Sequence, residues 1–201
     1  MAVTGRPFGP RDPRSAYSEA NLVTLLRLGG SLVFFVLAAV RGDPTANFVG
    51  LGIHWLGDVL DGALARKARQ ETVLGAEIDI IADRVEVLFF YVNFLHFHPE
   101  VAVAAAVYVL DFAFVDFYLS HQFLKFDLIS PNYFGRVDRR VYLLNFSPGG
   151  KFVNSTVVTL LLIFLPAWQA AAAVLAGGLI AVKVYSIRRL ARIRPGEAQV
   201  G

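Results

Sequence analysis

The chain has 201 residues, 56% of them hydrophobic and 17% charged, with a formal net charge of +3 at pH 7. A mean hydropathy of +0.54 is high for a water-soluble domain and points to a single integral membrane domain. Cysteine is absent, which excludes disulfides, thiolate nucleophiles and soft-metal sites, so any metal must be held by oxygen or imidazole.

In chain order, residues 1–19 are rich in Pro, Gly and Arg and show no apolar core ahead of a small-residue cleavage site. They read as a cytoplasmic tail and not as a removable signal peptide. A short interfacial helix over 12–20 is the one element this tail offers, and Pro13 counts against it. Six apolar stretches follow, near the roughly 20 residues a membrane-spanning helix needs. Their limits are 20–40, 47–66, 73–95, 101–121, 152–167 and 168–186. The third is weakened by Glu77, Asp79, Asp83, Arg84 and Glu86, and the fifth is short and runs up to Pro166.

Basic residues divide sharply among the connections. Arg66, Lys67 and Arg69 mark the turn between the second and third stretches. Lys125, Arg136, Arg139, Arg140 and Lys151 lie between the fourth and fifth, and Arg188, Arg189, Arg192 and Arg194 follow the sixth. The 3–4 and 5–6 connections have none, and Arg41 beside Asp43 in the 1–2 connection is the exception. By the positive-inside rule the expected fold is an all-α integral membrane bundle of six transmembrane helices with both termini cytoplasmic. The membrane domain is expected over 20–190, with 191–201 as a C-terminal tail beside anionic headgroups.

Chemistry concentrates between Asp58 and Asp83. The segment reads Asp58-x2-Asp61-Gly62-x2-Ala65-Arg66-x8-Gly75-x3-Asp79-x3-Asp83. Four carboxylates inside a mostly apolar chain are costly in lipid and therefore mark an active site. At 100° per residue, Asp58, Asp61, Gly62 and Ala65 share one face of the second helix, with Arg66 at its edge. Thr72, Gly75, Asp79, Asp83 and Glu86 share a face of the third, while Glu77 and Arg84 point away. A short connection makes these helices antiparallel neighbours whose polar faces can meet.

Converging aspartates repel one another unless a cation neutralises them, and Arg66 alone cannot balance four. Hard oxygen ligands favour Mg²⁺ or Mn²⁺, and the set suffices for two ions roughly 3.5–4 Å apart, an arrangement suited to phosphate transfer. Gly62, Ala65 and Gly75 leave room for a nucleotide, although small residues also serve plain helix packing in lipid. At about 1.5 Å per residue, Asp58 lies ~12 Å before Arg66, which puts the cluster in the cytoplasmic half of the membrane.

This pattern resembles the signature of the CDP-alcohol phosphotransferase family, D-x2-D-G-x2-A-R-x8-G-x3-D-x3-D, at every fixed position. The resemblance implies transfer of a substituted phosphate from a CDP-alcohol, often CDP-diacylglycerol, to an acceptor hydroxyl with release of CMP. It further implies that Asp58, Asp61 and Asp79 bind a metal pair. By the same resemblance Asp83 is expected both to bind metal and to act as general base, and Gly62, Arg66 and Thr72 to contact the CDP moiety, with Gly75 expected to line the same cleft. Asn21 and Thr24, followed by Arg27, resemble the polar stretch that family members place near the nucleotide. The residues themselves also allow a capping Asn and an Arg reaching for headgroups. The helix-1 stretch resembles the phosphatidylglycerophosphate synthase branch more than others and the basic 4–5 connection allows a phosphorylated acceptor, so the resemblance favours glycerol 3-phosphate by a small margin, with phosphatidylglycerol (cardiolipin-type transfer) or inositol phosphate as alternatives. Family members commonly form homodimers; no nucleic-acid partner is expected.

Outside the motif, Arg136, Arg139 and Arg140 are candidates for an acceptor phosphate, although positive-inside retention alone accounts for basic residues there. Asp111 and Asp116 are five apart and fall on different faces of an α-helix, which argues against a second carboxylate pair. His54 precedes Asp58 by one turn and can support the site indirectly; His96 and His98 have no expected catalytic part. A divalent-cation transporter also uses intramembrane carboxylates, but it predicts charged residues distributed through the membrane midplane and interrupted helices in repeated halves, and the sequence has neither.

Overall fold

A computed structural model describes residues 18–67 and 71–194, apart from the side chain of Arg66. The expected interfacial helix over 12–20 thus lies mostly outside the described residues. All regular structure among the described residues is helical. The chain divides into two compact units, residues 1–90 and 91–201.

The first unit holds α1 (Glu19–Arg41), α2 (Pro44–Lys67) and most of α3 (Val73–Phe97), which continues past the boundary. Ser18 caps α1, its hydroxyl accepting the Asn21 N–H at 3.0 Å. The helix ends at Gly42, whose φ of 63° is the left-handed conformation that glycine adopts without strain. Along α1 the buried residues are Ala20, Asn21, Thr24, Arg27, Ser31, Phe35 and Ala38, a stripe at three- and four-residue spacing. Leu22, Leu26, Val33, Val36 and Val40 are exposed instead. A polar stripe turned inward and an apolar face turned outward is the arrangement expected in lipid. The apolar end of this core is Phe35 against Phe90, and Gly50 admits the Phe35 ring, since a Cβ there would lie 2.5 Å from it.

The second unit contains a helical run from Pro99 to Phe126, comprising α4 (Ala102–Leu110), a π-helical segment Asp111–Asp116, α5 (Phe117–His121) and a 3₁₀ turn. After the turn Pro131–Arg136 come α6 (Arg139–Val141), α7 (Pro148–Phe152), α8 (Val158–Phe164) and α9 (Gln169–Ala191). Tyr91, Phe94, Tyr108, Phe112 and Leu162 are among its buried apolar residues.

Among the described residues, four helical stretches are long and apolar enough to cross a membrane: Glu19–Arg41, Pro44–Ala65, Pro99–Phe126 and Pro166–Ala191. The third and fifth of the six expected stretches do not reach that standard. Val73–Phe97 has the length but carries Asp83, Arg84 and Glu86 within its apolar half. Pro148–Phe164 is shorter, and Leu165, at φ −134° and ψ 55°, ends it before Pro166.

The π-helical turn corrects the reading of Asp111 and Asp116. An α-helix would place them on different faces, but the wider turn brings both to Lys183 of α9. The Lys183 ammonium bonds Asp111 and lies 3.3 Å from Asp116, with Lys183 and Asp111 fully buried.

Candidate active site

α1, α2 and α3 bring five carboxylates around one guanidinium. Arg27 leaves α1 with its stem running past α2 at Gly57, where a Cβ would lie 2.4 Å from both Arg27 Cγ and Cδ. Only glycine fits there without displacing the arginine. The guanidinium Nη1 then lies 3.4 Å from both Asp58 and Asp61. Nη2 lies 3.3 Å from Asp79, 2.9 Å from Asp83 and 3.2 Å from Glu86. The four motif aspartates thus converge, as the helical arithmetic expects, and Asp58, Asp61 and Asp79 each offer an oxygen within 4.8 Å of the others.

A gradient of exposure gives the cluster an open and a closed side. The side chains of Asp58 and Asp79 are 49% and 37% exposed, whereas Asp61 is at 5%, Arg27 at 1% and Glu86 at 0%. On the closed side Glu86 accepts a hydrogen bond from Ser31 Oγ at 2.6 Å and meets His54 Nδ1 at 2.9 Å. His54 also lies 4.0 Å from Asp83, so it acts on the cluster mainly through Glu86. Asp61 is fixed by Thr24, whose hydroxyl donates to it at 2.8 Å. A buried carboxylate without such donors is costly, and these bonds set its orientation.

Beside the cluster, Asn21, Thr72 and Gly75 form a second contact. The Thr72 hydroxyl accepts the Gly75 N–H at 2.9 Å and caps α3. A Cβ at Gly75 would lie 2.6 Å from Asn21 Oδ1 and 2.9 Å from Thr72 Oγ1, so the glycine is needed for α1 to approach. Gly62 is half-buried on α2. Arg66 belongs to the end of α2, and its side chain lies outside the described residues.

Arg136, Arg139 and Arg140 belong to the second unit and are exposed. Arg136 lies over the Tyr133 ring at 5.1 Å. Asp138 caps α6 by accepting the Arg140 and Val141 N–H groups at 2.9 and 3.0 Å, and its other oxygen pairs with Arg189.

Two sequence readings need correction. The cap of α1 is Ser18 and not Asn21, which sits buried inside the first turn. Arg27 does not reach for headgroups: the five carboxylates hold it inward, and it brings positive charge to a cluster that Arg66 alone was not expected to balance. The signal for this lay in α1 itself, where Asn21, Thr24, Arg27 and Ser31 repeat at helical spacing within an apolar helix.

The donor set is oxygen-rich, half-open and held by two helices, which fits a hard divalent cation, and the family's enzymes are generally divalent-metal dependent. No curated protein and no solved structure matches the chain significantly. The family model for CDP-alcohol phosphatidyltransferases matches residues 17–186, from the residue before the Ser18 cap to Ser186 of α9 and across the whole aspartate cluster, and the chain belongs to that family.

Proposed function

We propose that the protein transfers a phosphatidyl group from CDP-diacylglycerol to glycerol 3-phosphate, releasing CMP. Family membership carries the class of reaction, phosphatidyl transfer from a CDP-alcohol to an alcohol. The observation that carries the site is the convergence of Asp58, Asp61, Asp79 and Asp83 on one half-open cluster. In this reading Asp58, Asp61, Asp79 and Asp83 hold Mg²⁺ or Mn²⁺, which when bound neutralises charge on the phosphates.

Asp83 accepts the proton of the acceptor hydroxyl as its oxygen forms a bond to the β-phosphorus. The bond from that phosphorus to the oxygen bridging to the α-phosphate breaks, and CMP leaves with the bridging oxygen. A carboxylate is too weak to deprotonate an alcohol beforehand, so proton transfer accompanies bond formation. The remaining residues position the reactants: Gly62, Gly75, Asn21 and Thr72 border the nucleotide, Thr24 orients Asp61, and Arg66 binds a phosphate. Arg136, Arg139 and Arg140 are assigned to the acceptor phosphate. All three are exposed, which supports a basic surface there.

The same reading takes the protein as a homodimer of six-span chains with cytoplasmic termini, in the cell membrane, its site open to the cytoplasm. Purified protein with CDP-diacylglycerol and Mg²⁺ should release CMP only when glycerol 3-phosphate is supplied, with Asp83→Asn as control. Release driven by phosphatidylglycerol or inositol phosphate instead would reassign the acceptor.

A further inference from the structure

Arg27 is held by more than the four motif aspartates. Glu86, fully buried and bonded by Ser31 and His54, lies 3.2 Å from its Nη2 on the closed side of the cluster. Gly57 leaves the slot through which the arginine stem reaches this place. The guanidinium contacts an oxygen of each motif aspartate, and three of these aspartates, Asp58, Asp61 and Asp79, also form the group that could hold a divalent ion. Two cations close to one set of oxygens repel each other, and burial strengthens that repulsion.

We propose that Arg27 is the built-in counter-cation of this cluster. It positions the aspartates in the absence of divalent ions, competes with those ions for the same oxygens, and keeps its place on Glu86 when it yields them. The proposal rests on the reading of the four aspartates as a metal site. It makes Arg27 a positioning residue that sets metal affinity.

The test is Mn²⁺ binding to purified full-length protein, followed by electron paramagnetic resonance of the free ion, with thermal unfolding in chelator and in Mn²⁺. Arg27→Gln should bind Mn²⁺ about tenfold more tightly than wild type, because one nearby positive charge is gone. It should also unfold at a lower temperature in chelator and gain more from added Mn²⁺. Arg27→Lys keeps the charge and should stay within about threefold of wild-type affinity. A merely structural arginine would give weaker or unchanged binding in R27Q, and either result overturns the proposal.

If R27Q does not fold, Glu86→Gln replaces it. Without its buried anchor the guanidinium is thrown wholly onto the aspartates, so Mn²⁺ binding should weaken by about threefold or more, and unchanged or tighter binding overturns the proposal. Binding that Asp58→Asn and Asp61→Asn abolish but R27Q leaves unchanged removes only the role of Arg27. No Mn²⁺ binding by wild type or R27Q removes the metal site and this proposal with it.

Discussion

Arg27, Thr24 and Gly57 show how much of the site depends on single side chains that lie outside the four aspartates. Thr24 gives Asp61 its hydroxyl donor at 2.8 Å in a buried setting. Thr24→Val removes that donor and should cost about 1–3 kcal/mol of stability, read by thermal unfolding in detergent. Gly57→Ala places a methyl 2.4 Å from the Arg27 stem. The backbone or the arginine must then move, at a cost of about 1–3 kcal/mol, and CMP release should fall with it. Asp83→Asn tests the chemistry more directly. It is nearly isosteric and should keep the fold, yet lower turnover by about 100-fold or more through loss of the base. Appreciable CMP release in that variant would remove Asp83 from the role.

At the scale of elements, α1 and the run Pro99–Phe126 teach opposite lessons about periodicity. In α1 the α-helical repeat predicts which residues turn inward, and Asn21, Thr24, Arg27 and Ser31 are all buried. In the second run the repeat fails at Asp111, because a π-helical turn carries Asp116 to the same lysine. Lys183→Met leaves Asp111 and Asp116 without that cation and should destabilise the protein by about 3–5 kcal/mol. Replacing both aspartates by Asn in the same background should recover much of the loss, and equal unfolding temperatures for the two variants would show that the ion pairs do not matter. Residue spacing alone cannot reveal a π turn, since the extra residue is selected by packing against another helix and leaves no local composition signal.

For the whole molecule, the absence of cysteine makes topology directly measurable. Single cysteines at Ser15, Glu100 and Arg139 should label from the cytoplasmic, outer and cytoplasmic sides respectively if the six-span arrangement holds. Labelling of Ser15 and Glu100 from one side would show that an even number of spans separates them. The two weaker stretches are where this matters. Val73–Phe97 falls short by composition because it carries the site, and Pro148–Phe164 falls short by length. A hydropathy scan penalises this helix for the carboxylates it brings to the cluster.

The sequence by itself determined the helical class, the approximate limits of the long helices, the family, and the aspartates that face one another. Each of these follows from local composition or from spacing along one helix, which the 100° repeat converts into a shared face. Tertiary structure alone decided the pairings: that Arg27 meets five carboxylates, that Glu86 is bonded by Ser31 and His54, and that Asp111 and Asp116 share Lys183. The partner of a buried charge is chosen by how helices pack. A side chain that can reach lipid headgroups or a carboxylate cluster has the same sequence in either case, and only the packing of α1 against α2 and α3 separates the two.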